Sequence, residues 1–105
     1  MKTLTRIHLG LLACFVVRSL DPSAEAQVKN AQKGHELFIV RCSGCHSTDG
    51  RTKVGPPLFH ILKSGRLTTG QVRNIVKNGR DSMPPFRRKL NEEELDDLIE
   101  YLKSL

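Results

Sequence analysis

The chain has 105 residues, enough for one small domain, and its 17 Lys and Arg outweigh 11 Asp and Glu for a net charge of +6. Aromatic residues make up only 5% of it and no nucleic-acid recognition motif is present, so the positive balance is not read as nucleic-acid binding. Two readings of the charge remain, solubility and docking to an acidic protein surface.

The N-terminal stretch reads as a leader. Lys2 and Arg6 form a basic segment, Ile7 to Val17 is apolar except for His8, and Ala24-Glu25-Ala26 offers a small-residue cleavage site before Gln27. The apolar run is short for a bilayer span, and Arg18 follows it directly. The expectation is a signal peptide over residues 1–26, a domain over 27–105, and a periplasmic location. Two rivals attach the chain to the membrane: an uncleaved leader, or acylation of Cys14 in Leu11-Leu12-Ala13-Cys14. The apolar Phe15-Val16-Val17 after that cysteine argues against acylation. Residues 27–105 keep 14 Lys and Arg against 9 Asp and Glu, a balance of +5. A chain of that size often needs a staple to fold.

The staple follows the first helical pattern. Residues 30–42 place Gly34, Leu37 and Phe38 on one helix face, and the chain then reads Cys42-Ser43-Gly44-Cys45-His46. The C-x-x-C-H spacing marks covalent haem attachment, because two thiols two residues apart can add to the two vinyl groups of one haem. His46 is thereby carried to the iron as an axial ligand. Cys14 belongs to the leader, so both remaining cysteines are used and no structural disulfide is expected.

Ser47 to Val54 is polar, with a turn signal at Asp49-Gly50. Pro56-Pro57 forbids helix and then permits a short one over Leu58 to Leu62. After a loop at Ser64-Gly65-Arg66, Thr68 or Thr69 caps a helix with apolar Val72, Ile75 and Val76, ended by Gly79. Residues 80–90 are expected to be extended, because Pro84 and Pro85 follow Met83 there. The last helix is the best signalled. Asn91 and Glu94 form a capping box, Leu90 and Leu95 a hydrophobic staple, and Leu95, Leu98, Ile99 and Leu102 one apolar stripe. The acidic Glu92, Glu93 and Glu94 suit the positive N-terminus of that helix.

Met83 is the candidate for the second axial position. It is the only methionine after the initiator, and a soft thioether suits iron in both oxidation states. The rival ligands are His60 and His35, of which His35 lies too close before the attachment site to reach the opposite haem face easily. No constellation for a general base or nucleophile is found, so no catalytic residue is named.

Together, Gly34-x-x-x-Phe38, the Cys42 to His46 motif, Gly55-Pro56-Pro57-Leu58, Met83-Pro84-Pro85-Phe86 and Leu98-Ile99-Glu100-Tyr101-Leu102 resemble the class I cytochromes c. The resemblance covers about residues 30–105. It implies an all-α fold of three to four helices around one covalent haem c, with Gly34 and Phe38 packed across Leu98 and Tyr101. It also implies that the Pro56 carbonyl holds the second nitrogen of His46, that Leu58 and Phe86 press on the porphyrin, and that Arg66 meets a propionate. Many family members give a tyrosine hydroxyl to the methionine sulfur. Here the only tyrosine, Tyr101, is assigned elsewhere, and Asn78 is the substitute donor considered.

The expected function is a periplasmic mono-haem electron carrier between a redox donor and an acceptor. Lys53, Lys77, Arg80, Arg87, Arg88 and Lys89 would frame the haem edge for an acidic partner, opposite a last helix rich in Glu and Asp. The alternatives are a haem enzyme or gas or peroxide sensor with a displaceable Met83, an electron-transfer subunit of a periplasmic dehydrogenase, and a haem-free thiol protein.

Overall fold

The computed structural model describes residues 22–105, with side chains from residue 30 onward. The basic and apolar parts of the expected leader, and Cys14, lie outside the described residues. Of the expected cleavage segment only the backbone is described, and it is helical. Among the described residues there are three α-helices and no named strand: α1 (Pro22–Arg41), α2 (Thr69–Asn78) and α3 (Glu92–Ser104).

Helix α1 starts eight residues earlier than the apolar pattern suggests. Pro22 occupies its first position, where a missing N–H costs no hydrogen bond and the fixed φ is already helical. Its last turns pack along α3, and the crossing depends on Gly34. A methyl group there would lie 1.9 Å from the Asp97 carbonyl oxygen and 2.8 Å from Tyr101 Cβ, so the two backbones meet at a bare Cα. Phe38, one turn on, is buried and sets its ring 5.5 Å from that of Tyr101. Leu95, Leu98, Ile99 and Leu102 supply the α3 side of the core. Each such side chain withdrawn from water contributes about 1.5–3 kcal/mol.

Both later helices are capped reciprocally. Glu94 N–H donates to Asn91 Oδ1 at 2.8 Å, and Asn91 N–H donates to Glu94 Oε2 at 2.9 Å. Leu90 and Leu95 are both buried in the core, as the staple requires. In α2 the cap is Thr68. It receives the Gln71 N–H at 3.2 Å, while its own N–H donates to Gln71 Oε1 at 2.8 Å.

Helix α2 approaches α3 only lightly and keeps its backbone apart from that of α1 among the described residues. It is tied to α3 by charge: Arg73 pairs with Glu92 at 3.2 Å and with Asp96, and Lys77 pairs with Glu92 at 2.5 Å. Val72 and Val76 face the core from α2.

Two expectations need correction. Leu58 to Leu62 is not a helix but the start of a run of turns, in which Ile61 N–H reaches Leu58 O at 3.1 Å and Ser64 N–H reaches His60 O at 2.8 Å. His60 adopts φ 55°, a left-handed conformation that breaks helix continuity. Residues 80–90 are extended only over Pro84 to Phe86. A tight turn precedes them and a helical turn follows, with Leu90 N–H on Phe86 O at 3.0 Å.

Candidate functional site

The Cys42 to His46 motif is the frayed end of α1. Cys42 N–H and Ser43 N–H both bond to Phe38 O, at 2.8 and 2.9 Å, and Cys45 N–H and His46 N–H both bond to Cys42 O, at 3.0 and 2.9 Å. This turn brings Cys42, Cys45 and His46 into one short arc. Cys42 is half-buried and Cys45 exposed, and no disulfide joins them. Burial, and secondarily the neighbouring Cys45, push the Cys42 thiol up to about 11. A working dithiol needs a lowered thiol pKa, so this environment opposes the haem-free thiol reading.

A loop then folds back over the motif. Gly55 N–H bonds to Cys45 O at 2.7 Å, and Leu58 N–H bonds to Ser47 O at 2.8 Å. Inside the loop the buried Ser47 hydroxyl donates to Arg51 O. On its rim the Arg51 side chain hydrogen-bonds Asp49 and holds that carboxyl down at about 2. Lys53 Nζ donates to Ser43 O at 2.6 Å, closing the loop onto the motif from outside.

The product of this folding is one contact. His46 is buried, and its Nδ1 lies 2.8 Å from Pro56 O. A carbonyl only accepts, so Nδ1 carries the proton and Nε2 keeps its lone pair. Gly55 makes room for the ring. A methyl group at Gly55 would sit 2.5 Å from His46 Cε1 and 2.8 Å from Nδ1. The sequence names Gly55 only within the Gly55-Pro56-Pro57-Leu58 motif, because its steric role exists only once the ring is placed.

Met83 lies after α2, half-buried against the core. Arg80 N–H bonds to Met83 O at 3.1 Å and Met83 N–H to Arg80 O at 2.9 Å, so Met83 closes a tight turn. Gly79, at φ 76°, begins that turn, and a methyl group on it would meet Met83 O at 2.6 Å. Asn78 is not the sulfur donor considered from the sequence. Its amide donates to Asn74 Oδ1 at 2.6 Å, and its oxygen accepts from Arg87.

The rival histidines are engaged elsewhere. His35 packs its ring 5.0 Å from Tyr101 at the α1–α3 crossing. His60 is exposed and stacks on Phe59 at 3.8 Å. Arg66 is exposed and donates to Ser64 Oγ at 3.3 Å. Phe86 is buried in the core, whereas Leu58 is half-buried beside it with Leu62, Leu67 and Cys42.

These residues fit a haem. An imidazole nitrogen with a free lone pair, two thiols in one turn, a thioether, and half-buried apolar side chains are the donor set and lining such a group requires. No cluster of three or more His, Cys, Asp or Glu among the described residues forms an independent metal site. Two surface concavities are lined by neither His46 nor Met83. One is beside Leu37 and Val40 of α1, the other beside Lys77, Pro85 and Arg88.

Residues 29–102 match the family model described as cytochrome C oxidase, cbb3-type, subunit III. A cytochrome c-555 of Methylococcus capsulatus is 38% identical over 104 residues, covering 94% of this chain and 83% of its own. A cytochrome c6-like protein of Nostoc sp. is 30% identical over 91 residues, covering 84% and 80% respectively. A cytochrome c-553-like protein of Synechocystis sp. is 28% identical across the full length of both chains. With the attachment turn and the all-helical fold, these matches establish that the chain belongs to the class I c-type cytochrome family.

Proposed function

We propose that this protein is a mono-haem electron carrier of the periplasm, with the haem joined to Cys42 and Cys45 and the iron held between His46 and Met83. The haem supplies the ferric–ferrous couple. The observation that carries the reading is the His46–Pro56 contact at 2.8 Å, which keeps the proton on Nδ1 and presents Nε2 as a donor. Gly55 and the loop hydrogen bonds fix the ring plane, so it need not reorient when charge changes. Met83, in a turn stiffened by Pro84 and Pro85, would supply the second protein ligand to the iron. Two filled positions leave no place for a substrate, which suits electron transfer and not turnover.

Export through a leader cleaved after Ala26 accounts for where such a haem is attached. No described helix is long and apolar enough to cross a membrane. The partners proposed are redox proteins with acidic docking faces, met by the cations around the Met83 segment.

The test is mass and ligand access. Protein recovered from the periplasm should have the mass of the chain from Gln27 plus one haem. Reduced wild type should resist carbon monoxide, and Met83→Ala should bind it and show a lower reduction potential. Free thiols at Cys42 and Cys45, or rapid carbon monoxide binding by wild type, would overturn the proposal.

A further inference from the structure

The segment that carries Met83 is closed on α2 at both ends. At its start Gly79 N–H bonds to Ile75 O at 2.8 Å. At its end Phe86 N–H bonds to Val76 O at 2.9 Å, and Arg87 N–H bonds to Lys77 O at 3.3 Å. Three of the last four carbonyls of α2, those of Ile75, Val76 and Lys77, are therefore satisfied by the strap. Between Met83 and Phe86 stand two prolines, which have no N–H to donate. The strap cannot fix itself there and depends on its closure.

One side-chain tie reinforces that closure. The Arg87 guanidinium donates to Asn78 Oδ1, and Asn78 Nδ2 donates to Asn74 Oδ1 at 2.6 Å, so the strap is joined to two successive turns of α2. Among the described residues no other side-chain hydrogen bond or ion pair links residues 79–89 to α2. Helix α2 is in turn anchored to α3 through Arg73 and Lys77.

We infer that Arg87 and Asn78 form a brace that positions Met83, setting how firmly the thioether stays on the iron. They are positioning residues and touch neither the sulfur nor the haem in this account. The inference rests on the reading of Met83 as the distal ligand. Loss of the brace leaves the strap its backbone bonds but lets residues 80–87 move outward, away from the half-buried position of Met83. Arg88, the next residue, is exposed and its side chain makes no hydrogen bond or ion pair among the described residues, so it tests charge without the brace.

The experiment uses the haem-loaded protein. Asn78→Ala, Arg87→Met, their double variant and Arg88→Met are compared with wild type and Met83→Ala. Two signals are read: the pH at which the ferric methionine-to-iron charge-transfer band disappears, and the rate of carbon monoxide binding by the ferrous form. Asn78 and Arg87 are exposed, and haem content with far-ultraviolet circular dichroism verifies folding.

Either single variant should bind carbon monoxide about fivefold faster and lose its band about 0.7 pH units lower, the scale of one net hydrogen bond. The double variant should be no worse than either single one, because both remove the same tie. In these two signals, which involve no redox partner, Arg88→Met should match wild type. Additive effects in the double variant, an Arg88→Met shift as large as that of Arg87→Met, or singles indistinguishable from wild type would each overturn the brace. A wild type that lacks the band and binds carbon monoxide as fast as Met83→Ala would instead overturn the Met83 reading, and the brace with it.

Discussion

At His46 a single hydrogen bond decides which ring nitrogen is left free as a donor, and a single missing methyl group decides whether that bond forms. Gly55→Ala puts Cβ at 2.5 Å from the imidazole, with the Cys45 carbonyl 3.1 Å away on the same side. Overpacking of this kind costs about 1–3 kcal/mol, and here it displaces the ring from Pro56 O. We expect Gly55→Ala to yield little holoprotein, and Gly44→Ala to resemble wild type, since nothing lies within 4 Å of a methyl group there. His46→Ala should abolish stable holoprotein. His60→Ala should leave the iron spectrum unchanged, because that ring is exposed on Phe59. Absorption spectra of the four variants check the set, and a high-spin spectrum in His60→Ala would reassign the ligand. At this scale the sequence was informative wherever a residue acts through its own chemistry. Cys42, Cys45, His46 and Met83 could be picked out by type and spacing, and Pro56 by family resemblance. It did not disclose the steric role of Gly55 or the tie from Arg87 to Asn78, which come from what other segments place beside them.

Among the elements, α3 was legible in full because its signals are local: a cap, a reciprocal glutamate, a staple and a stripe within fifteen residues. The start of α1 was not, since no apolar periodicity marks its first turns. The turns after Pro57 were misread as helix because nothing in the residue type of His60 announces its left-handed φ. The α1–α3 crossing also contains a group the sequence gives no reason to notice. Asp97 is only 4% exposed, and its carboxyl is raised from its ordinary value chiefly by burial, with Lys33 opposing the shift and Glu93, Asp96 and Glu94 adding to it. A carboxyl whose folded pKa exceeds its unfolded one binds protons more tightly in the native state, so ionising it costs stability. That cost is absent below the unfolded pKa, grows as pH rises through the interval between the two, and is complete above the folded pKa. Asp97→Asn should therefore raise the thermal midpoint at neutral pH, and the two proteins should converge as the solution is acidified to pH 4 and below, the ordinary Asp range. Thermal melts across that range check the sign. A lower midpoint for Asp97→Asn at neutral pH would mean that attraction to Lys33 outweighs burial.

For the molecule as a whole, the net positive charge gains direction from pairing. The sequence suggested a dipole, with cations at the haem edge and carboxylates on α3. The structure redraws it, because several α3 carboxylates are already matched: Glu92 and Asp96 to Arg73 and Lys77, Glu93 to Lys33 at 3.9 Å, and Glu100 to Lys103 at 2.6 Å. Lys77 is therefore a clamp and not a docking cation. Arg80 is likewise paired, with Asp81 at 3.9 Å, so the exposed charge beside Met83 comes instead from Arg87, Arg88 and Lys89, with Lys89 lying over the Phe86 ring at 5.6 Å. Charges at the edge of an encounter surface act mainly on the association rate, and screening weakens them beyond about 10 Å at 0.1 M salt. Electron transfer to an acidic redox protein should thus slow as salt is added. The double variant Arg88→Gln, Lys89→Gln should be slower at low salt and show a shallower salt dependence, with an unchanged absorption spectrum. Lys103→Gln, which removes a cation already paired on the far end of α3, should leave the dependence nearly intact. Stopped-flow rates against ionic strength measure all three. Equal slopes for the wild type and the double variant would move the docking face away from the Met83 strap, and an equal loss in Lys103→Gln would reduce the effect to net charge alone.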